Sequence, residues 1–431
     1  MAESKKEKDI LDDLMEQNVL NMEFDALPTG IRIFDTFIFG EKDVLYMEDA
    51  DLKFGFLKGK MYIMSGDSGV GKSTLMYECC KRWCARYNSK IIYIDAETGI
   101  SKKSLIDYGL IEFAAYDEKI EDKSLSEKEK NIIKRKCYYD FIKGKKPFLP
   151  INPKYFGRTM KTCRDLVWLN KEKGKGGSID VIIIDSLKAL RPEAFNEEEQ
   201  QYIEKQPIAA MARAKEGFLP NFKNFISCNQ ILNINLQQLR NKSGPKGSFY
   251  LGESLTQAEK HYHDARYLVK EYKKIMRKTI DNLGETIDKQ DGNWINIKVT
   301  KGRTGNAFTE FKLPLLFGKG VSMVYYYLEI LNQNGYIIKN GAWYTIKIDE
   351  LKIEEKYQGE EGGVKIVKEN FNAIEVFLYE KELIQIEAHK NAIQEPENKK
   401  EINDEIDSIL NGDNGDNDIV DILKKENPLL K

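Results

Sequence analysis

Residues Lys60–Trp83 read KMYIMSGDSGVGKSTLMYECCKRW. The first five residues are apolar enough for a buried strand, and the stretch from Leu75 onward has the composition of a helix. Between them Gly66, Asp67, Ser68, Gly69, Val70, Gly71, Lys72, Ser73 and Thr74 fit the pattern GxxxxGK[ST]. A strand, a glycine-rich turn and a helix in this order form a phosphate cradle. Glycines let backbone N–H groups curl around an anion at a helix N-terminus, and the lysine reaches the terminal phosphates. The serine hydroxyl is a ligand for Mg²⁺. ATP and Mg²⁺ are therefore the expected cofactors, with Ser73 on the metal.

Working outward, short runs rich in Ile and Val alternate with helical stretches from about residue 55 to 318. They include KIIYIDAETG, IDVIIIDSLKAL, NQILNINLQQLR, ARYLVKEYKKI, WINIKVTKG and FTEFKLPLLFG. Near-continuous apolar runs suit strands covered on both faces of a parallel sheet. The later runs alternate and follow one another closely, which predicts an antiparallel extension. The fold class expected is α/β: a P-loop ATPase core with a mostly parallel twisted sheet, at 29–318. Around it the sequence predicts a short N-terminal helix within 1–28, a basic insertion at about 110–177, a small C-terminal α/β domain at 319–395 and a disordered acidic tail at 396–431. From Glu401 to Asp421 there are eight acids and no Lys or Arg, a composition that cannot bury a core.

The rest of the chemistry is expected at strand ends. Asp185 closes VIIIDS and is expected to hold Mg²⁺ directly or through water, because an ionised carboxylate ending an apolar strand needs a partner. Asp95 and Glu97 close IIYIDAE; Glu97 is read as the group that activates water, with Asp95 as the alternative. Gln238 ends a further strand, where a neutral amide senses a γ-phosphate. The glycine-rich stretch after it carries Arg240, Lys242 and Lys246 with Phe249 and Tyr250, a mixture suited to a single-stranded backbone and its bases. Lys301 and Arg303 lie two apart on a strand and so share a side. From spacing alone they are solvated strand-end charges, partners of a nearby carboxylate, or binders of an anion.

Composition limits the alternatives. A net charge of −2 excludes a uniformly basic nucleic-acid binder while permitting local basic patches. There is no run of about 18 apolar residues for a membrane span and no signal-peptide core at the N-terminus. The six cysteines form no CxxC pair, which fits a reduced cytoplasm. The HxH of His261 and His263 lacks companion ligands, so no metal is expected there.

Taken in order, the P-loop, IDAETG, IIIDSLKAL, LQQLR with its glycine-rich loop, KVTKGRTG and GAWYTI resemble the RecA-type recombinases over about 29–350. The phage UvsX-like branch is the most similar in having a long insertion. The resemblance implies that Glu97 is the catalytic glutamate and that Gln238 couples ATP to DNA. It implies that 191–206 and 241–256 are DNA-binding loops, and that Lys301 and Arg303 reach the ATP of an adjacent subunit. It departs from the family at Lys103 and Ser104, where an adenine-stacking aromatic belongs, and at His261, which replaces an interface aromatic. The expected protein is a DNA-dependent ATPase in the cytoplasm (of a bacterial host, if phage-encoded). It would form a helical filament on single-stranded DNA and exchange strands with a duplex, alongside a loading factor and a single-strand-binding protein. The rivals are a RecA-fold hexameric helicase, for which the segment before the core is short, and a non-catalytic recombination scaffold.

Overall fold

The computed structural model describes residues 25–31, 34–35, 55–173, 178–192, 208–243, 249–252, 255–280, 285–302 and 309–381. The expected N-terminal helix and acidic tail lie outside these residues, as do Lys246 and Arg303. Among the described residues sixteen strands are numbered β1 to β16 in chain order. β1 (Ala26–Leu27) pairs with β2 (Phe56–Leu57) in a small antiparallel ladder. The central sheet is built from β3 (Met61–Gly66), β4 (Lys90–Asp95), β5 (Phe148–Ile151), β6 (Ile179–Asp185) and β7 (Leu232–Gln238). After β8 (Arg240–Ser243) and β9 (Phe249–Gly252), it continues with β10 (Ala265–Ile280), β11 (Thr286–Gly302), β12 (Glu310–Leu316) and β13 (Gly320–Val321).

The order across the nine-stranded sheet is β13-β12-β11-β10-β3-β7-β6-β4-β5. The six strands from β10 to β5 are parallel, and β11, β12 and β13 extend the sheet antiparallel. The Ile and Val runs follow from this architecture. Along β4 and β6, Ile91, Tyr93, Val181 and Ile183 enter one core with the helix Lys72–Tyr87. Their alternates Ile92, Ile94, Ile182 and Ile184 enter a second core with the helices Phe156–Lys173 and Ile208–Cys228. Each strand is thus buried on both faces, and each such side chain contributes about 1.5–3 kcal/mol of burial. Over the first core the antiparallel part is covered on one face only. Val269, Ile297 and Leu313 point into the first core, while Lys270, Lys298 and Lys312 are exposed.

Two stretches differ from the sequence reading. Residues 110–177, read as a basic insertion, supply β5 at the sheet edge and the helix Phe156–Lys173 that covers the second core. Pro150 is tolerated in β5 because an edge strand has one side without ladder partners. The stretch after Gln238, read as a glycine-rich loop, includes a hairpin. Arg240 pairs with Gly252, Lys242 with Tyr250 and Ser243 with Phe249. Phe, Tyr and Leu favour the pleated conformation, and the Gly-Pro punctuation falls between the two strands.

After β13 the chain forms the helix Met323–Gln333 and a three-stranded sheet, β14 (Ile337–Asn340), β15 (Trp343–Ile348) and β16 (Ile353–Tyr357). The helices Gly359–Glu369 and Phe371–Glu380 follow. This unit has its own core of Leu331, Ile346, Val367 and Phe377. Ile275, Trp294 and Tyr325 join it to the central sheet. Among the described residues no helix is long and apolar enough to cross a membrane.

Candidate functional site

The carboxyl ends of β3, β7, β6 and β4 are held in register. Gly66 lies opposite Gln238, and Asp185 lies opposite both Asp95 and Leu236. Loop amides stitch the ends together: Leu239 N–H donates to Gly66 O (3.0 Å) and Ala96 N–H to Asp185 O (2.7 Å). The crevice outside the carboxyl ends of parallel strands is where α/β sheets bind ligands.

The segment Gly66–Thr74 has the geometry of an anion cradle. The helix Lys72–Tyr87 begins at Gly71 (φ 108°) with no side-chain cap and no acid in its first turn, so its leading N–H groups and positive dipole end stay available. A β-carbon on Gly71 would sit 2.6 Å from Leu315 Cδ1, and one on Gly66 would sit 2.7 Å from Val269 O. Only glycine fits either position. Lys72 Nζ donates to Gly66 O (3.0 Å) and Asp67 O (2.7 Å). Burial pulls the Lys72 pKa down, and the nearby Asp185, Glu97 and Asp67 carboxylates oppose that shift.

Beside Lys72, Ser73 Oγ donates to Asp185 Oδ2 (2.7 Å), and Tyr93 OH donates to the same oxygen (2.8 Å). Burial raises the Asp185 pKa, partly offset by these two hydrogen bonds. A hydroxyl and a carboxylate converging beside a phosphate cradle are hard oxygen donors of the kind Mg²⁺ takes. The residues present therefore fit a nucleotide with its metal.

Glu97 is exposed and bridges two strands. Its Oε2 accepts from Gln238 Nε2 (3.0 Å), and its Oε1 accepts from Ser186 Oγ. Lys188 Nζ donates to Gln238 O (2.8 Å). Asp95 is engaged differently. It is buried, and its two oxygens accept from Gly99 N–H (3.0 Å) and Ile100 N–H (2.7 Å), shaping the turn after β4. Of the two acids at this strand end, Glu97 has the carboxylate that faces outward.

Sequence reasoning missed Tyr93, Ser186, Lys188 and Tyr108, whose OH lies 3.1 Å from Thr74 Oγ1. A tyrosine in an alternating strand carries no mark of what its hydroxyl reaches. Arg240, Lys242, Phe249 and Tyr250 fall on the β8–β9 hairpin that follows Gln238.

Lys301 is elsewhere. It lies opposite Arg266, which is level with Ile63, whereas Ile297 lies opposite Val269, level with Gly66. Lys301 is thus four residues, roughly 13 Å, toward the amino edge of the sheet. Its Nζ points onto the end of the helix Gln257–Tyr262, donating to Lys260 O (2.8 Å), His261 O (3.3 Å) and His263 O (2.6 Å). A cation there suits a helix C-terminus. It also turns the ammonium away from this chain's own P-loop.

His263, under the same helix end, bears a testable pH dependence. It is fully buried, with Nδ1 2.6 Å from Glu259 O and Nε2 2.8 Å from Asn235 Nδ2. Nδ1 therefore donates and Nε2 accepts, as in a neutral ring. Burial lowers its pKa to about 4; Glu259 and Asp264 oppose the shift and Lys301 adds to it. The unfolded chain takes the proton near pH 6.5, so the stabilisation is complete above 6.5 and is lost as pH falls toward 4. Urea unfolding at pH 5 should show about 2 kcal/mol less stability than at pH 7 from this group alone. A His263→Gln variant should lack that increment of slope; an identical slope would exclude His263 as its source.

The RecA N-terminal domain family matches residues 169–322, a span that includes Asp185, Gln238, Lys301 and Arg303 and begins after the P-loop. The chain is 30% identical over 200 residues to Protein RecA of Treponema denticola, covering 46% of this chain and 44% of that protein. It is 28% identical over 198 residues to Protein RecA of Streptomyces coelicolor, covering 46% and 48%. It is 28% identical over 205 residues to Protein RecA of Halalkalibacterium halodurans, covering 47% and 53%. The matches span about half the length of these relatives.

Proposed function

We propose that the protein is an ATP-dependent recombinase that assembles as a helical filament on single-stranded DNA and exchanges strands with a homologous duplex. The observation that carries this reading is the Glu97–Gln238 hydrogen bond. It ties a carboxylate beside the phosphate cradle to the strand that runs directly into the β8–β9 hairpin, where Arg240, Lys242, Phe249 and Tyr250 lie. A change at the γ-phosphate would then be felt at the DNA, and the reverse. Similarity to RecA proteins supports the same reading.

In this reading the P-loop amides and Lys72 bind the phosphates, and Ser73 and Asp185 hold Mg²⁺. ATP and Mg²⁺ together supply a polarised phosphoanhydride. Glu97 orients and deprotonates the attacking water, while Gln238 reports the state of the γ-phosphate to the hairpin. Lys301 and Arg303 act on the ATP of a neighbouring protomer. The amino-edge position of Lys301 supports that, because its own P-loop is at the other edge of the sheet. The first 28 residues would contribute the packing between protomers.

Electron microscopy with single-stranded DNA and a non-hydrolysable ATP analogue tests the reading. Extended helical filaments that need both ligands are the expected result. Closed six-fold rings would instead favour a helicase, and no assembly with unstimulated ATPase would sink the proposal.

A further inference from the structure

We propose that Tyr93 is a positioning residue of the metal site: its hydroxyl fixes the Asp185 carboxylate in the orientation that, together with Ser73, holds Mg²⁺. The proposal rests on the nucleotide-site reading above and adds a residue to it. Tyr93 lies in β4, opposite Ile183 of β6, and Asp185 is two residues further along β6. Both side chains therefore point to the same face of the sheet, the one covered by the helix Lys72–Tyr87 that carries Ser73. Tyr93 is fully buried. Its neighbours on that face, Ile91, Val181 and Ile183, are apolar, so the phenol OH needs a partner. It donates to Asp185 Oδ2 at 2.8 Å.

Ser73 Oγ donates to the same oxygen at 2.7 Å. Oδ2 thus accepts two hydroxyl protons, one from the P-loop helix and one from β4, and among the described residues no hydrogen bond reaches Oδ1. A carboxylate oxygen has about two lone-pair sites. Oδ2 is therefore saturated, and Oδ1 is the oxygen left for the metal or a water bound to it. With Ser73 alone the carboxylate would swing about a single hydrogen bond, since the Asp χ2 torsion is broad. Two donors from different elements fix its plane. They also offset what opposes its charge: desolvation and the neighbouring carboxylates Glu97 and Asp95 disfavour ionised Asp185.

The ring that carries the hydroxyl is braced by other rings. Phe148 of β5 packs on it with centroids 5.9 Å apart, and Tyr77 with centroids 5.4 Å apart. Tyr77 packs in turn on Tyr108 (5.1 Å), whose OH lies 3.1 Å from Thr74 Oγ1. This row of rings runs from the edge strand to the first turn of the P-loop helix. Metal ligands are oriented by side chains whose own rotamers are locked by packing. Phenylalanine at position 93 would pack the same row. A buried hydroxyl costs free energy unless it is hydrogen-bonded, so what distinguishes tyrosine at this position is its hold on Asp185.

The test is Tyr93→Phe in the full chain, which removes the hydroxyl and keeps the ring. Mn²⁺ binding in the presence of ADP, read from the electron paramagnetic resonance of free Mn²⁺, should weaken about 10–100-fold, the usual cost of losing an outer-shell partner of a metal ligand. ADP affinity in EDTA, read with a fluorescent ADP analogue, should stay near wild type, and the melting temperature should fall by only a few degrees. The Mg²⁺ concentration that half-saturates ATP hydrolysis should rise in parallel, with most of the wild-type rate recovered at high Mg²⁺. Equal Mn²⁺ affinity in variant and wild type overturns the proposal and leaves the nucleotide-site reading intact. A variant that also loses ADP binding in EDTA, or melts far below wild type, overturns it too, because the hydroxyl then serves the fold. Wild-type protein that takes up no Mn²⁺ with ADP overturns both.

Discussion

Glu97→Gln should leave nucleotide and DNA binding near wild type while ATP hydrolysis falls about 10²–10⁴-fold, the usual cost of removing a general base. The substitution is nearly isosteric. A glutamine can still accept from Ser186 Oγ, and its amide N–H can donate to Gln238 once the Gln238 amide turns its Oε1 inward in place of Nε2. The strand ends should therefore keep their arrangement, and filaments formed with ATP should persist because turnover no longer dissolves them. Single-turnover hydrolysis, with ATP binding measured separately, distinguishes chemistry from affinity. Asp95→Asn is the informative companion. Its carboxylate accepts two backbone N–H bonds in the turn after β4, so its loss should appear mainly as lower stability. If Asp95→Asn abolishes hydrolysis in a stable protein while Glu97→Gln does not, the base is Asp95.

That choice marks the limit of what one sequence discloses here. Asp95 and Glu97 end the same predicted strand, and nothing in their spacing separates a carboxylate that folds a turn from one that faces a ligand. Hydrogen bonding separates them, and it depends on β6 and β7 arriving alongside. The central strands themselves were legible because burial on both faces leaves Ile and Val at nearly every position of β4 and β6. β5 was not. It is four residues long, includes Pro150 and sits among lysines, so its partnership with β4 is decided by tertiary contact. The β8–β9 pairing was hidden for a similar reason, since its Gly and Pro outweighed the short strand-forming run Phe249, Tyr250 and Leu251. The P-loop was the opposite case. Its function lies in backbone geometry that glycine alone permits, so the sequence has to spell it out. Lys301 was legible as a cation at a strand end, but where that end lies relative to Gly66 required the order of the sheet.

Changing both Lys301 and Arg303 to Ala should leave nucleotide binding by the free protein largely intact and lower DNA-stimulated hydrolysis by roughly 10³–10⁵-fold, as loss of a cation supplied in trans can. A lone protomer cannot use Lys301 on its own phosphates, for the ammonium sits at the amino edge of the sheet and caps the helix Gln257–Tyr262. The same cap complicates the double variant, because removing it frays that helix end and costs some stability. Arg303→Ala alone keeps the cap and should still lose most of the turnover. A mixing experiment then separates action between chains from action within one. Protomers with Glu97→Gln keep the cations but cannot hydrolyse. Protomers lacking both cations keep their own P-loop and Glu97. In mixed filaments the first kind lends its cations to the second, and hydrolysis should reappear where neither parent alone has any. If light scattering or energy transfer shows that the two co-assemble and hydrolysis stays absent, Lys301 serves its own chain as a helix cap, and the active site does not span two protomers.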